Sequence, residues 1–266
     1  VAATKVLSVA RLHAAAELAY PGQVLLGMVF SFVVLFTVST MWRVLGEQHD
    51  LVAMTGWGLQ RLVWYTAFSE ALALSYGVPW EGLQVDREIR SGDVAYRLAR
   101  PQSYALYHVG ACLGERYARL AVRLPIHLAI AWVLVGWPGL SFFAGFAALI
   151  AGLLAGAADL AWSLVWSFSS FWVEDSFGLH FLYRRCVFLL GGLLIPLNAY
   201  PDWLRAIAEA LPFKAILYGP ARLFVEQDAT GALRLYGLQL SFAAVGFGLV
   251  AVIYRVGSRR LSAQGG

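Results

Sequence analysis

GQVLLGMVFSFVVLFTVSTMW, residues 22–42, contains no charged side chain. A helix needs about 20 consecutive apolar residues to cross the hydrocarbon core of a bilayer, and this run supplies them. Pro21 stands at its start, where a helix tolerates proline because the missing N–H would have no partner there in any case. On the far side Arg43, Glu47, His49 and Asp50 gather into a short polar loop. The stretch therefore reads as a membrane span.

The rest of the chain repeats the pattern. Hydrophobic residues fill 60% of the 266 positions, charged residues 14%, and the mean hydropathy is +0.66, outside the usual range of soluble domains. Such a length has room for about six spans and no second folded domain. Further apolar runs at 57–78, 112–135, 142–168, 181–197 and 235–254 are the other five. The expected fold is all-α, a polytopic membrane protein whose residues 1–266 form one transmembrane domain.

Between the spans the sequence changes character. Residues 1–20 mix Val6, Leu7, Val9, Ala10 and Leu12 with Lys5, Arg11, His13 and Glu17, which suits an amphipathic helix lying on the cytoplasmic membrane surface rather than a secretory signal. Glu174, Asp175, Arg184 and Arg185 mark an aqueous boundary before the fifth span, which Pro196 interrupts. Residues 200–222 are punctuated by Pro201, Pro212 and Pro220 and are too polar to cross a bilayer alone. In the fourth span Gly152 and Gly156 have the GxxxG spacing that lets helices approach closely.

The formal charge of +4 comes mainly from arginine, since Lys5 and Lys214 are the only lysines. A nucleic-acid binder would cluster basic residues on a soluble face; here they sit between apolar runs, and no nucleic-acid partner is expected. With both termini cytoplasmic, most of the arginine clusters fall on the inner side, as the positive-inside rule requires. Cys112 and Cys186 sit in largely apolar sequence and form neither a disulfide framework nor a zinc site.

Catalytic signatures are missing. No Gly-Lys pair occurs, so no GxxxxGK[ST] phosphate loop exists, and no HExxH is present. Ser69 beside Glu70 and Ser163 near Asp159 lack a convincing base and read as helix-packing residues. The chain is not expected to be an enzyme or to hold a cofactor. Glu70 and Asp159 are the ionisable groups to watch, because a charge within a span is costly and faces a bundle interior or an aqueous cavity. They line a translocation route, pair with Arg61, Arg116 or Arg123, or make an interhelical hydrogen bond. A proton-coupled secondary transporter using Glu70 or Asp159 fits the same residues, and a membrane scaffold with no cargo is a third reading. Most of the ten tryptophans fall near span ends, where indoles favour the headgroup region. Trp162 and Trp166 share one helical face, and Trp162 is a candidate for contact with an apolar or cationic cargo.

The most distinctive segment is DREIRSGDVAYRLARP, residues 86–101. It mixes both charge signs, carries a turn or capping signal at Ser91-Gly92-Asp93, and keeps Ile89, Val94 and Leu98 as apolar anchors. That combination suits docking into a protein groove better than an anionic lipid surface.

Here the chain resembles the ABC-2 type permeases, and among them the bacterial ABC-2 family transporter proteins of about this length. The resemblance rests on Ile89-Arg90-Ser91-Gly92-Asp93-Val94 with Leu98-Ala99-Arg100-Pro101, then Gly114 and Arg119. A second block is Ile195-Pro196-Leu197, Tyr200-Pro201-Asp202-Trp203-Leu204, and Leu211-Pro212-Phe213 leading to Tyr218-Gly219-Pro220. It covers essentially the whole chain. It implies a six-span, type V exporter-like half-transporter of the bacterial inner membrane, with an N-terminal interfacial helix and short outer re-entrant helices. Residues 86–101 would form the cytoplasmic coupling helix, with Glu88, Arg90, Ser91, Gly92, Asp93 and Arg97 meeting a partner ABC ATPase that binds ATP and Mg. A second membrane subunit, identical or related, would complete the assembly. The cargo would be hydrophobic or amphipathic.

Overall fold

The computed structural model describes the chain apart from residues 1, 20, 78–86, 89–90, 92, 94–95, 97–102, 140, 174–175, 228 and 265–266. Of the expected coupling residues, Glu88, Ser91 and Asp93 are described, while Arg90, Gly92 and Arg97 lie outside the described residues. Among the described residues every regular element is helical. The α-helices are α1 (Ala2–Leu18), α2 (Pro21–Gln48), α3 (Leu51–Thr55), α4 (Leu59–Ser75), α5 (Tyr104–Val135), α6 (Phe142–Phe168), α7 (Phe177–Leu190), α8 (Asp202–Ala210), α9 (Tyr218–Glu226) and α10 (Ala229–Gln264).

Among the described residues four stretches are long and apolar enough to cross a membrane: Leu26–Gln48, Tyr104–Val135, Phe142–Phe171 and Gly231–Gly257. They also carry exposed large apolar side chains, among them Leu26, Phe36, Val133, Phe142, Phe143 and Leu233. In water so much apolar surface would be an aggregation hazard; in lipid it is the solvated face. The chain is a multi-pass membrane protein.

Helix α4 occupies the centre. Every residue from Leu62 to Ala73 is buried, including Thr66, Ser69 and Glu70. Its 17 residues span only about 25 Å at 1.5 Å per residue. Helix α4 packs against α2, α5 and α9, so polar side chains can be placed around it without meeting lipid. This is how it can carry Thr66, Ser69 and Glu70 inside the bundle. Gln60 and Trp64 donate to the carbonyls of Val135 and Gly136 at 3.1 and 3.0 Å, and Arg123 donates to the carbonyl of Leu74, so α4 and α5 are antiparallel.

Helix α7 ends at Leu190, before Pro196. Gly192 adopts φ 69°, a left-handed conformation in which a Cβ would also strike Leu197 and the Tyr65 hydroxyl. The turn leaves backbone carbonyls without helical partners, which a membrane interior tolerates only when protein groups replace them. Helix α4 supplies those groups: Tyr65 donates its hydroxyl to the carbonyl of Gly192, and Ser69 donates to that of Leu193 at 2.6 Å. Ser69 is thus a helix-packing residue. Beyond the turn, α8 is amphipathic, with Trp203 and Ile207 exposed and Ala208 buried, whereas α9 is buried between α4 and α6 with Phe224 stacked on Phe68 at 4.6 Å.

Close backbone approach is used at a pair of glycines other than the one singled out above. Helix α1 lies along the first half of α5, and a Cβ on Gly114 would stand 2.1 Å from the Ala10 carbonyl oxygen; on Gly110 it would meet that of Val6 at 2.8 Å. The Gly152 and Gly156 pair instead seats side chains from α4 and its C-cap, Leu72 and the Tyr76 ring, and Tyr76 donates to the Gly152 carbonyl at 2.5 Å. Helices α6 and α10 share the longest interface, closed by Gly246 against Ala161 and by Trp162 stacked on Phe242 at 4.8 Å. Lipid offers little hydrophobic drive for such contacts, so van der Waals packing and interhelical hydrogen bonds hold them.

Candidate functional site

Asp159 of α6 is fully buried and stands between two arginines. Arg116 of α5 donates through Nη1 to Oδ2 at 2.5 Å and through Nη2 to Ser163 Oγ at 3.3 Å. Arg184 of α7 places Nη1 at 3.0 and 2.9 Å from Oδ1 and Oδ2, and its Nη2 donates to the carbonyl of Gly77, beyond the end of α4, at 2.6 Å. Tyr183 completes the carboxylate shell with a hydroxyl 3.0 Å from Oδ1. The cluster therefore ties α5, α6 and α7 to the chain that leaves α4.

One carboxylate between two guanidiniums leaves an excess of one positive charge within the Arg116–Asp159–Arg184 cluster. Burying charge is expensive, and a buried pair repays that cost only with good geometry and extra hydrogen bonds. Asp159 has both. Of the partners the sequence offered, Arg116 is used, Arg61 is exposed, and Arg123 caps the Leu74 carbonyl. Arg184 is a correction: read as marking an aqueous boundary, it is only 1% exposed, because its countercharge lies inside the bundle. Arg185 next to it is exposed and lies over the Phe181 ring.

A second buried polar group sits at the head of α5. Glu88, from the 86–101 segment, accepts a hydrogen bond from the Tyr104 hydroxyl at 2.7 Å and lies 3.2 Å from His108 Nε2. The Tyr104 ring packs near Phe168 of α6 and Tyr254 of α10, with centroids 6.0 and 6.4 Å away. Glu88 is thus attached to the point where α5, α6 and α10 meet. Ser91 donates to Asp93 Oδ2 at 2.8 Å, a local turn contact, and both are exposed.

The model of the family described as ABC-2 family transporter protein matches residues 32–265. The chain belongs to the ABC-2 transporter family. It is accordingly a membrane component of a transporter. Comparison with curated proteins gives no match.

Within this ABC-2 protein the two remaining candidates take different places. Trp162 is committed to the α6–α10 interface: its indole N–H donates to the Phe242 carbonyl at 3.1 Å while its ring stacks on the same residue. Trp166, on the same helical face, turns to Tyr183 of α7. Glu70 is the opposite case. It is 3% exposed, and neither carboxyl oxygen has a hydrogen-bond partner.

Sequence reading missed Arg184, Tyr183, Tyr104 and His108. Tyr104 and His108 stand at i and i+4, one face of a helix, immediately after the distinctive segment. Arg184 had no such signal, since an arginine pair a few turns after Glu174 and Asp175 looks like part of a solvated boundary.

Proposed function

We propose that this chain is the permease subunit of an ABC exporter, moving a hydrophobic or amphipathic cargo outward with ATP hydrolysed by a separate ATPase subunit. In this reading six helices cross a bacterial inner membrane: the four long ones, together with the shorter α4 and α7 inside the bundle. Both termini are cytoplasmic, α1 lies at the inner surface, and residues 200–222 form the outer re-entrant segment. ATP and Mg belong to the partner, and a second membrane subunit, identical or related, completes the pathway.

The observation that carries the reading is Glu88. A coupling segment has to transmit a push, so it needs attachment to the helices that move. Glu88 supplies it through Tyr104 and His108, with Phe168 and Tyr254 packed behind. Arg90, Ser91, Gly92, Asp93 and Arg97 are then the candidates for contact with the ATPase, and Glu70, Asp159 and Trp162 are candidates near the pathway. The test is replacement of Arg90 and Asp93 together in a complex reconstituted with its ATPase. Membrane insertion and ATP hydrolysis should persist while export stops; unchanged coupled export would overturn the site assignment.

Glu70 favours a second reading, a proton-coupled secondary transporter, because a partnerless buried carboxyl is where a proton could be carried. Transport that follows a proton gradient without ATP, and is lost in Glu70→Gln, would select it over the first.

A further inference from the structure

Ser176, His180 and Arg184 stand four residues apart, from the N-cap of α7 to its middle, and so share one helical face. They are 0%, 3% and 1% exposed. Each carries a buried atom with no hydrogen-bond partner: Ser176 Oγ, His180 Nδ1 and Arg184 Nε. Native interiors leave few such atoms; others lie scattered through the bundle, at Trp42, Glu70, His127 and Gln239 among them, but these three stand in register on one face. The row begins at the N-terminal end of α7, where the helix dipole favours negative charge, although Glu174 and Asp175 immediately precede Ser176 in the sequence. It ends at Asp159, where two guanidiniums share one carboxylate.

We propose that this face binds a singly charged oxyanion, a carboxylate or a phosphodiester, which neutralises the excess charge beside Asp159. Arg184 Nη1 and Nη2 are already used by Asp159 and the Gly77 carbonyl, so the remaining Nε–H, an imidazole N–H and a hydroxyl are the donors left for the ligand. The charge is specified as well as the sign: a single negative charge balances the site, whereas a dianion would leave a new uncompensated charge. The body of the ligand would lie among the apolar side chains of the bundle, so the ligand is an anionic amphiphile. Only its identification as cargo rests on the exporter reading.

The test uses the full chain in phosphatidylcholine nanodiscs, titrated with sodium decanoate and, as the neutral control, decanol, with thermal unfolding as the readout. Decanoate should raise the melting temperature saturably and decanol should not. Arg184→Gln should abolish the response. His180→Phe, which keeps the charge and removes one donor, should weaken it several-fold and serves if Arg184→Gln does not fold. Asp159→Asn, which raises the excess to two positive charges, should lower the half-saturating concentration about tenfold, equivalent to about 1.4 kcal/mol. Repeating the titration with phosphatidylglycerol in the nanodisc identifies the source: loss of the decanoate response with a higher starting stability assigns the site to a membrane lipid, and an unchanged response assigns it to a soluble amphiphile. Equal shifts with decanoate and decanol, or weaker binding in Asp159→Asn, would overturn the proposal. Neither ATP nor transport enters the measurement, so it can fail or succeed independently of the exporter reading.

Discussion

Replacing Asp159 with asparagine keeps the shape of the side chain and removes its charge, so the variant isolates electrostatics from cavity formation. Among the described residues Asp159 is the carboxylate in contact with both Arg116 and Arg184. Without it, two guanidiniums remain buried with no countercharge among the described residues. Breaking a buried pair by removing one partner costs about 3–5 kcal/mol. Arg116→Gln is the contrasting case: it removes the 2.5 Å bond to Oδ2 and the 3.3 Å bond to Ser163, yet Arg184 still neutralises the carboxylate at 2.9 Å. That variant should lose about 1–3 kcal/mol, the cost of unsatisfied partners alone. For a chain of this size, 1 kcal/mol moves a melting midpoint by roughly 2–4 °C, so Asp159→Asn should melt roughly 6–20 °C below the parent and Arg116→Gln clearly less. Thermal unfolding of the purified chain in detergent, with no anionic amphiphile added, measures both. A loss in Arg116→Gln equal to or larger than that in Asp159→Asn would refute the picture of one carboxylate serving two arginines.

Gly114→Ala should detach α1 from α5, because its Cβ would fall 2.1 Å from a backbone oxygen that cannot move without the helix; faster tryptic cleavage at Lys5 and Arg11 in folded protein would report it. Gly192→Ala pays about 1–2 kcal/mol for a left-handed backbone conformation and adds contact with Leu197 and Tyr65, so a lowered melting temperature with Tyr65→Phe partly relieving the crowding is expected. Glu88→Ala cuts the attachment to Tyr104 and His108, and in a reconstituted complex it should leave ATP hydrolysis intact while reducing export about tenfold or more, an outcome Tyr104→Phe should reproduce in weaker form.

The lipid-facing helices were legible because their environment is uniform: residues 22–42 must be apolar all round the face that meets lipid, and α5, α6 and α10 obey the same constraint. The central helices were less so. Helix α4 is surrounded by protein, so it can carry Thr66, Ser69 and Glu70, and its pattern no longer reports the bilayer. The fifth apolar run was read as far as Leu197 with Pro196 as its break, because proline is the louder signal; the helix itself ends at Leu190 and the chain turns at Gly191-Gly192, where Tyr65 and Ser69 donate to the freed carbonyls. At the charged cluster, composition picked out Asp159 and offered Arg116 among three arginines. It could not find Arg184, since which of two adjacent arginines turns inward depends on the helix face and on where Asp159 stands. The 86–101 segment stood out in the sequence, but Glu88's partners emerge only when Tyr104 and His108 are brought beside it.

The most direct measurement is purification of the full chain co-expressed with a candidate ABC ATPase, followed by paired assays of ATP hydrolysis and vesicle export. A stable complex whose export requires ATP and is lost when Arg90 and Asp93 are replaced is the expected result. Export by the chain without any ATPase, driven by a proton gradient, would contradict it.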